Sequence, residues 1–535
     1  MSDSAPFAPI FAVLAPGGAL LALLVLAAAP RLRPLRRFVV PAGAGLGFLG
    51  ILFSLMEPSW PILLSRWQPL RLLGNFPALA PDRLVWPLAL ALGGAALGAA
   101  LVQMGRPPRY PSLLGFAVLG MFSFGLLALW GENLLTLLLA WASFDLAWGT
   151  GMVAFGLPLS QTLWRMGGGV FATLLLWTSS LLLEQGGTGC VWSLMVSPPS
   201  GSEALLFLAA LVRLGIYPFY PNLPLEDRRR HPLGAVLLLE PVLAWALLVR
   251  MFGQARFPVP AWPWLEGLAA GTFLAGGLLA LTAPDEARCV HWAGLSAIGG
   301  ILWAGLRAAS APQAAATWLI GGTLWTLGIS LLYLGRGWDR SSPWWMGGTG
   351  VGALALAITP LLGGAGAPLA GGFRWAGFFL GQALLTVALL RDALRPPVPE
   401  EPVDFWLDVP RAAGYGVLIA LMIVGALGIP RWIGPTLPDG RPHAPEWSTM
   451  AIWILGTLAG SALFFRALPR LREKRAWGAT VHAFLKLDWA YDLLAGAFSR
   501  GTEVVGLVAD VMEGAGAVLW ALAVFLLILV VLLGL

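Results

Sequence analysis

Charged residues are scarce in this chain, since Asp, Glu, Lys and Arg together make up 11% of its 535 residues. Soluble proteins carry roughly a quarter of their residues as these four types. Hydrophobic residues reach 58%, and the mean hydropathy is +0.79. A soluble interior cannot bury that much apolar surface. The composition therefore excludes most soluble enzymes and predicts a polytopic membrane protein.

Cysteine and lysine are almost absent as well. Cys190 and Cys289 have no CxxC spacing and form no cluster with the four histidines. The sequence therefore predicts no disulfide framework, zinc site or iron–sulfur site. Lys474 and Lys486 are the only lysines, so nearly every basic side chain is an arginine, which stays protonated in proteins.

Apolar blocks of about 20 residues, the length that crosses a bilayer, recur along the chain. We predict an all-α polytopic membrane protein with about sixteen transmembrane helices and a C-terminal amphipathic segment. The predicted spans are Phe7–Ala29, Phe38–Met56, Leu84–Met104, Pro111–Trp130, Asn133–Leu157, Gly167–Leu183, Glu203–Phe219, Leu233–Phe252, Leu265–Ala283, Val290–Leu306, Ala314–Leu334, Trp344–Leu362, Gly371–Leu390, Arg411–Ile429, Thr449–Leu468 and Gly514–Leu535.

The basic residues lie between these blocks and not along one face. We therefore expect no nucleic-acid binding, despite a net charge of +6 and a pI near 9.8. Loops after odd-numbered spans hold 23 of the 33 basic residues, and loops after even-numbered spans hold 9. Because positively charged loops stay cytoplasmic, both termini are predicted to face away from the cytoplasm.

Two of the predicted helices are interrupted. The seventh contains Pro218 and runs into Pro221, and the twelfth contains Pro360 followed by a glycine-rich stretch. Proline removes a backbone donor, and irregular backbone is tolerated at membrane depth only where protein or a wet cavity surrounds it. The two helices occupy corresponding places in two five-helix blocks, which predicts inverted repeats with an ion path between them. Simple helix kinks are the alternative.

The predicted spans divide the chain into six parts. They are helices 1–3 (1–110), the first inverted repeat with helices 4–8 (111–252), the second with helices 9–13 (265–391), helices 14–15 (411–468), an amphipathic segment (469–513) and a C-terminal helix (514–535). The amphipathic segment is expected on the membrane surface, with a soluble-looking hairpin as the alternative.

Several motifs follow one another in a specific order. They are Leu211–Val212–Arg213 with Tyr217–Pro218–Phe219–Tyr220 and Leu223–Pro224, then His231 to Ala235, Asp285 to Gly299, Pro368 to Phe373, and Leu487 to Asp492. This series resembles the antiporter-like membrane subunits of respiratory complex I, Mrp-type cation/proton antiporters and membrane-bound hydrogenases. It is most similar to the largest, distal complex I subunit, over Leu84 to Leu390 and the tail.

The resemblance has implications for location, partners and chemistry. It implies a multi-pass protein of a prokaryotic inner membrane, with other membrane subunits of a redox complex as partners and no cofactor bound by this chain. Family members carry protons along a line of buried Glu, Lys and His. Here Ala142 stands at the fifth-helix Glu position, with Asp145 three residues on and nearly on the same helix face. Arg213 and Tyr220 replace the seventh-helix Lys and the His after it.

The remaining positions depart further from the family pattern. In the eighth helix Glu240 is an unexpected acid, while the His and Lys positions are apolar. In the eleventh helix Trp318, Gly322 and Thr326 replace two His and a Lys. Most of the charged line that the resemblance implies is therefore missing.

Asp145, Arg213 and Glu240 form the candidate site. A charge at mid-membrane costs about 2.5–3.5 kcal/mol, so these side chains are not expected to face lipid unpaired. They are a proton path in which Asp145 pairs with Arg213, or the pair is a fixed structural link between the fifth and seventh helices. Arginine stays protonated, so Arg213 can bias neighbouring acids without relaying protons. Candidate path-lining residues are Tyr220, His291, Thr326 and Arg374.

The sequence therefore predicts a membrane-arm subunit of a complex I-like complex that uses redox chemistry to translocate protons. Three alternatives stay open. The chain could be a non-conducting structural paralogue, an Mrp-type cation/proton antiporter subunit, or the membrane subunit of an inorganic-carbon-uptake device.

Overall fold

The computed structural model describes most of the chain up to Leu487 and scattered residues after it. The described residues are 7–28, 35–56, 62–64, 76–105, 112–185, 190–192, 195, 201–218, 231–308, 311–335, 343–362, 372–394, 405–433, 447–473, 475–487, 489–490, 492–493, 496, 500 and 503. The chain divides into two compact units, Met1–Arg475 and Ala476–Leu535.

Helices make up nearly all of the regular structure in the N-terminal half. A short antiparallel pair, β1 (Ile62–Leu63) and β2 (Ala78–Leu79), is the exception among the described residues. The helices are α1 (Phe7–Ala28), α2 (Arg36–Ser54), α3 (Trp86–Met104), α4 (Ser112–Leu129), α5 (Leu134–Phe155), α6 (Leu159–Gln185), α7 (Ser202–Leu214), α8 (Gly234–Leu237) and α9 (Pro241–Val249), which continues as a π-helical turn (Arg250–Gln254).

The C-terminal half is helical throughout its described parts. Its helices are α10 (Pro263–Thr282), α11 (Glu286–Leu306), α12 (Ala311–Leu334), α13 (Pro343–Leu362), α14 (Gly372–Ala393), α15 (Phe405–Ile433), α16 (Trp447–Glu473) and α17 (Arg475–Leu485). Almost all of α17 belongs to the second unit.

Ten helices of the described chain are long and apolar enough to cross a membrane. Four shorter apolar helices accompany them: Leu113–Leu129, Pro241–Gln254, Gly348–Leu361 and Met450–Arg466. These findings confirm an all-α polytopic membrane protein. The predicted span Gly514–Leu535 and much of the predicted surface segment 469–513 lie outside the described residues.

Four arginines close the C-terminal ends of helices on which they do not themselves lie. The last carbonyls of a helix have no intrahelical donor and form the negative end of its dipole. A guanidinium supplies both positive charge and several donors. The donor–acceptor pairs are Arg36 with the carbonyl of Leu26, Arg411 with Gly105, Arg250 with Leu129 and Arg391 with Ala283, at N···O distances of 2.6–3.1 Å. This capping is one structural use of the arginine-rich composition.

The predicted eighth span is interrupted, so the expectation of one continuous helix from Leu233 to Phe252 is wrong. The α-helical hydrogen-bond pattern stops after α8 and resumes in α9 at Pro241. Between them, the N–H groups of Leu238 and Leu239 donate to carbonyls three residues earlier. Pro241 has no N–H to donate to the carbonyl of Leu237, four residues earlier. The indole N–H of Trp148 in α5 donates to that carbonyl instead, at 3.0 Å.

The seventh span ends earlier than its prolines suggested. Helix α7 stops at Leu214, five residues before the predicted end, because Gly215 adopts a left-handed conformation with φ of 65°. Its N–H bonds to the carbonyls of Leu211 and Val212, as in a C-terminal glycine cap. Pro218 follows in an irregular stretch, after a cis peptide bond.

The twelfth span is not broken at Pro360, contrary to the expectation from sequence. Helix α13 continues past this proline to Leu362. Pro360 cannot donate to the carbonyl of Leu356, and the hydroxyl of Thr359 donates there instead at 2.8 Å. The glycine-rich stretch after α13 lies outside the described residues.

Candidate functional site

The candidate site begins with an ion pair between Asp145 of α5 and Arg213 in the last turn of α7. Nη2 of Arg213 contacts Oδ1 of Asp145, and Nη1 donates to Oδ2 at 3.3 Å, so the contact is bidentate. The Arg213 side chain is fully buried, and 9% of the Asp145 side chain is exposed. Paired planar groups of this kind are the strong form of a charged hydrogen bond.

Aromatic rings hold the guanidinium in place. The Cζ atom of Arg213 lies 4.4 Å from the ring centre of Trp141, one turn before Asp145 on α5, and 5.8 Å from that of Phe144. Stacking on an aromatic face attracts a desolvated cation. On the other side, a Cβ at Gly169 of α6 would lie 2.9–3.0 Å from the Asp145 carboxylate. The glycine therefore lets α6 pack directly against the acid.

A cavity of about 40 Å³ adjoins the ion pair. It lies where α7 ends and where the chain is interrupted between α8 and α9. Arg213, Glu240 and His291 supply its polar side chains. This volume exceeds the roughly 10–15 Å³ that a cavity needs to hold a water molecule.

Glu240 lies at the start of α9 and lines the cavity. It is partly exposed, as is Pro241 after it, whereas Leu239 before it is fully buried. Its side chain makes no capping hydrogen bond to α9. The charged groups that act on it are Arg213, which attracts its charge, and Asp145, which repels it.

His291 is the second predicted residue that the structure brings to the cavity. It projects from the second turn of α11 and meets Trp292 edge to face, with ring centres 5.0 Å apart. Thr326 does not line this cavity, since its hydroxyl donates to the carbonyl of Gly322 at 2.6 Å within α12. Among the predicted path-lining residues, Arg374 lies in α14 with its side chain outside the described part, and Tyr220 is outside it altogether, as is Pro221 of the predicted interruption.

Helix α12, which lies in the second predicted five-helix repeat, carries no comparable charged side chain. This helix contains no Asp, Glu, His, Lys or Arg. The hydroxyls of Thr323 and Ser330, like that of Thr326, donate to carbonyls one turn earlier, at 2.7 and 2.8 Å. Trp245 packs against Gly322, where an added Cβ would lie 2.7 Å from the Cγ atom of the indole. A buried tryptophan therefore fills the space beside that position.

Two features of this site were not predicted from the sequence. Pro241 interrupts the eighth span beside Glu240, and the Glu–Pro pair was a visible local signal for that interruption. Trp245 fills the space beside Gly322, which no local pattern indicated. Among the described residues, no group of three or more His, Cys, Asp or Glu side chains is placed to hold a metal ion.

Comparison with known proteins shows the fold. No protein-family model matches the chain, and no curated protein matches it in sequence. A chain in the structure of the Mrp complex from a Dietzia species superposes with a TM-score of 0.78 at 17% identity, over 98% of this chain and 62% of that one. This chain therefore spans less than two thirds of the Mrp chain it matches.

Two respiratory assemblies contain similar chains. One belongs to the membrane-bound sulfane sulfur reductase, an archaeal respiratory membrane complex, with a TM-score of 0.66 at 16% identity over 97% of this chain and 99% of that one. The other belongs to respiratory complex I from Thermus thermophilus with bound NADH, with a TM-score of 0.50 at 20% identity over 90% and 99%. The predicted resemblance to antiporter-like membrane subunits is thus confirmed at the level of the fold.

Proposed function

We propose that this chain is a membrane-arm subunit of a complex I-like assembly that translocates protons with energy from redox chemistry elsewhere in the assembly. It acts beside other membrane subunits in a prokaryotic inner membrane, with both termini outside and no cofactor of its own. The observation that carries the proposal is the buried Asp145–Arg213 pair beside a cavity that Glu240 and His291 also line, within a fold shared with respiratory membrane complexes.

Burial explains why this pair supports a role in ion movement. The free energy lost when two charges leave water is only partly offset by their mutual attraction. An apolar pair of similar volume is therefore often as stable or more stable. In a chain with 11% charged residues, a fully buried arginine next to a second acid, Glu240, is a costly arrangement. Such intramembrane charges mark ion pathways more often than they mark stability.

One observation favours a second candidate, the non-conducting structural paralogue. Helix α12 has no Asp, Glu, His, Lys or Arg, and the buried hydroxyls of Thr323, Thr326 and Ser330 donate to its own backbone. A subunit that only completes the membrane arm requires nothing more from this helix. The Mrp-type and carbon-uptake alternatives share the fold, and partner subunits would separate them.

Purification of the native assembly through a tag on this chain tests the main proposal. We expect quinone- or hydrogenase-linked subunits to co-purify and to be identified by mass spectrometry. Recovery of the chain alone would refute the assignment, and recovery with only cation-exchange subunits would favour the Mrp-type role.

Proton pumping by the same assembly separates conduction from scaffolding. We expect Asp145→Asn, Arg213→Ala and Glu240→Gln to lower the number of protons moved per electron pair. Glu266→Gln is the matched control, because Glu266 pairs with Arg307 at 3.3 Å in a partly exposed position away from the cavity. Unchanged pumping by all variants in an intact assembly would favour the structural paralogue.

A further inference from the structure

We propose that the cavity beside Arg213 is a hydrated proton-binding site at which Glu240 takes up and releases the proton, and that this site has no connection through α12. The inference rests on the proposed function only in naming the proton as the ion. The reaction is a simple exchange, in which a hydrated proton and the Glu240 carboxylate form a carboxylic acid and water, and the reverse step restores both.

Three polar side chains in the lining of the cavity support bound water. A buried water needs two to four polar partners, and Arg213, Glu240 and His291 together supply donors and acceptors around this space. Both terminal nitrogens of Arg213 are directed at Asp145, whereas its Nε is buried without an acceptor among the described residues. A water in the adjoining cavity satisfies that donor.

Glu240, not Asp145, is the acid free to exchange. Both carboxylate oxygens of Asp145 accept hydrogen bonds from Arg213, an arginine that keeps its charge. Glu240 makes no cap bond to α9, lines the cavity, and lies at the positive end of the α9 dipole. The groups around it are therefore Arg213, Asp145 and His291, and α12 faces the cavity only with Trp325 and Ile329.

Four residues of α11 and α12 form an apolar wall of the cavity, and the one N–H among their side chains already has a hydrogen-bond acceptor. Leu295 and Ile298 of α11 join Trp325 and Ile329 of α12 there. The indole N–H of Trp325 donates to the carbonyl of Gly294 at 2.9 Å, so it is not available to a chain of waters. A proton held at Glu240 therefore has no relay partner on α12, and it changes the charge beside the Asp145–Arg213 pair by one unit.

Infrared difference spectroscopy of the purified assembly, titrated with acid in H₂O and D₂O, tests this site. We expect one deuterium-sensitive carboxylic C=O band that falls to background in Glu240→Gln and moves in frequency in Glu240→Asp. Glu266→Gln, which removes a carboxylate away from the cavity, should leave that band in place. A band that survives Glu240→Gln, or that disappears in Glu266→Gln, overturns the proposal.

Two further variants test the cavity and its closed side. Leu295→Phe should fill the space and slow deuterium exchange of the Glu240 band at least tenfold. Thr326→Val on α12 should leave both band and exchange rate unchanged, and a loss of either would show a connection through α12. The outcome does not depend on which partners co-purify, so failure of this inference and failure of the assembly assignment are distinguishable.

Discussion

The indole N–H of Trp148 donates to the carbonyl of Leu237 at 3.0 Å, the acceptor that Pro241 leaves without a backbone donor. A side chain of α5 thus supplies the hydrogen bond that the backbone lacks at the interruption between α8 and α9. Because an unsatisfied backbone carbonyl in a nonpolar interior is costly, this bond offsets the loss of an α-helical hydrogen bond beside Glu240. The interruption and the ion pair are therefore held by the same helix, α5, which carries both Asp145 and Trp148.

Trp148→Phe should destabilise the protein by about 1–2 kcal/mol, since it leaves the buried carbonyl of Leu237 unpaired. Thermal unfolding of the purified protein in detergent measures the effect. Trp245→Phe is the matched control, because Trp245 is equally buried and its N–H has no acceptor among the described residues. Adding Pro241→Ala should reduce the loss in Trp148→Phe, and strict additivity of the two changes would contradict the explanation.

Thr359→Val should destabilise the protein by about 1 kcal/mol. The hydroxyl of Thr359 supplies the donor that Pro360 lacks, and valine preserves shape without that donor. Thr323→Val is the control, since Thr323 is also buried but bonds within a regular stretch of α12. Equal melting temperatures for the two variants would show that the carbonyl of Leu356 does not need the hydroxyl.

Removal of one member of the Asp145–Arg213 pair should be more damaging than removal of both. Asp145→Leu leaves a buried arginine without a counter-ion, which we expect to lower stability by about 3–5 kcal/mol. The double variant Asp145→Leu, Arg213→Met should regain most of that loss, because it leaves no buried charge. Yield of folded protein and its unfolding temperature report both effects, and a double variant that is worse than either single one would argue against the pairing.

Gly322→Ala should destabilise α12 packing by about 1–3 kcal/mol, because the new methyl group would meet the Trp245 ring. Gly271→Ala in α10 is the control, since no atom lies within 4 Å of a Cβ placed there. That substitution should be neutral or stabilising by up to about 1 kcal/mol, as alanine favours helix. A neutral Gly322→Ala would mean that the tryptophan moves easily.

The native cysteines should be silent toward maleimide reagents. Desolvation by burial, with a smaller contribution from Glu184, raises the pKa of the Cys190 thiol to about 12, and Cys289 is fully buried. Because the thiolate is the reactive form, labelling of Cys190 at pH 8 should be about 1000-fold slower than that of an ordinary thiol of pKa near 8.5. Rapid labelling of the wild-type chain would contradict the burial.

This low background allows the predicted orientation to be measured. With both termini outside, Ser2→Cys should react with a membrane-impermeant maleimide in spheroplasts whose inner membrane is intact. Ser341→Cys, in the loop after the eleventh predicted span, should react only after permeabilisation. The reverse pattern would invert the orientation inferred from the arginine distribution.

Local sequence patterns predicted the broad architecture because length and hydropathy decide which segments enter a bilayer. Asp145 and Arg213 could be proposed as partners because buried charges require compensation. The proline alone could not distinguish the interruption at Pro241 from the continuation of α13 through Pro360, because both positions carry the same local signal. The carbonyl of Leu356 accepts from Thr359 beside Pro360, whereas that of Leu237 accepts from Trp148 on a helix far away in the chain.

The sequence by itself determined that this is a multi-helix membrane protein, rich in arginine and nearly free of lysine, with few charges in its interior. Only the tertiary structure decided where those charges meet. It placed Glu240 and His291 on one cavity with Arg213, filled the space beside Gly322 with Trp245, and supplied the carbonyl of Leu237 with a donor from Trp148 on a distant helix. These outcomes depend on contacts between helices far apart in the chain, and hydropathy and spacing along one helix do not encode such contacts.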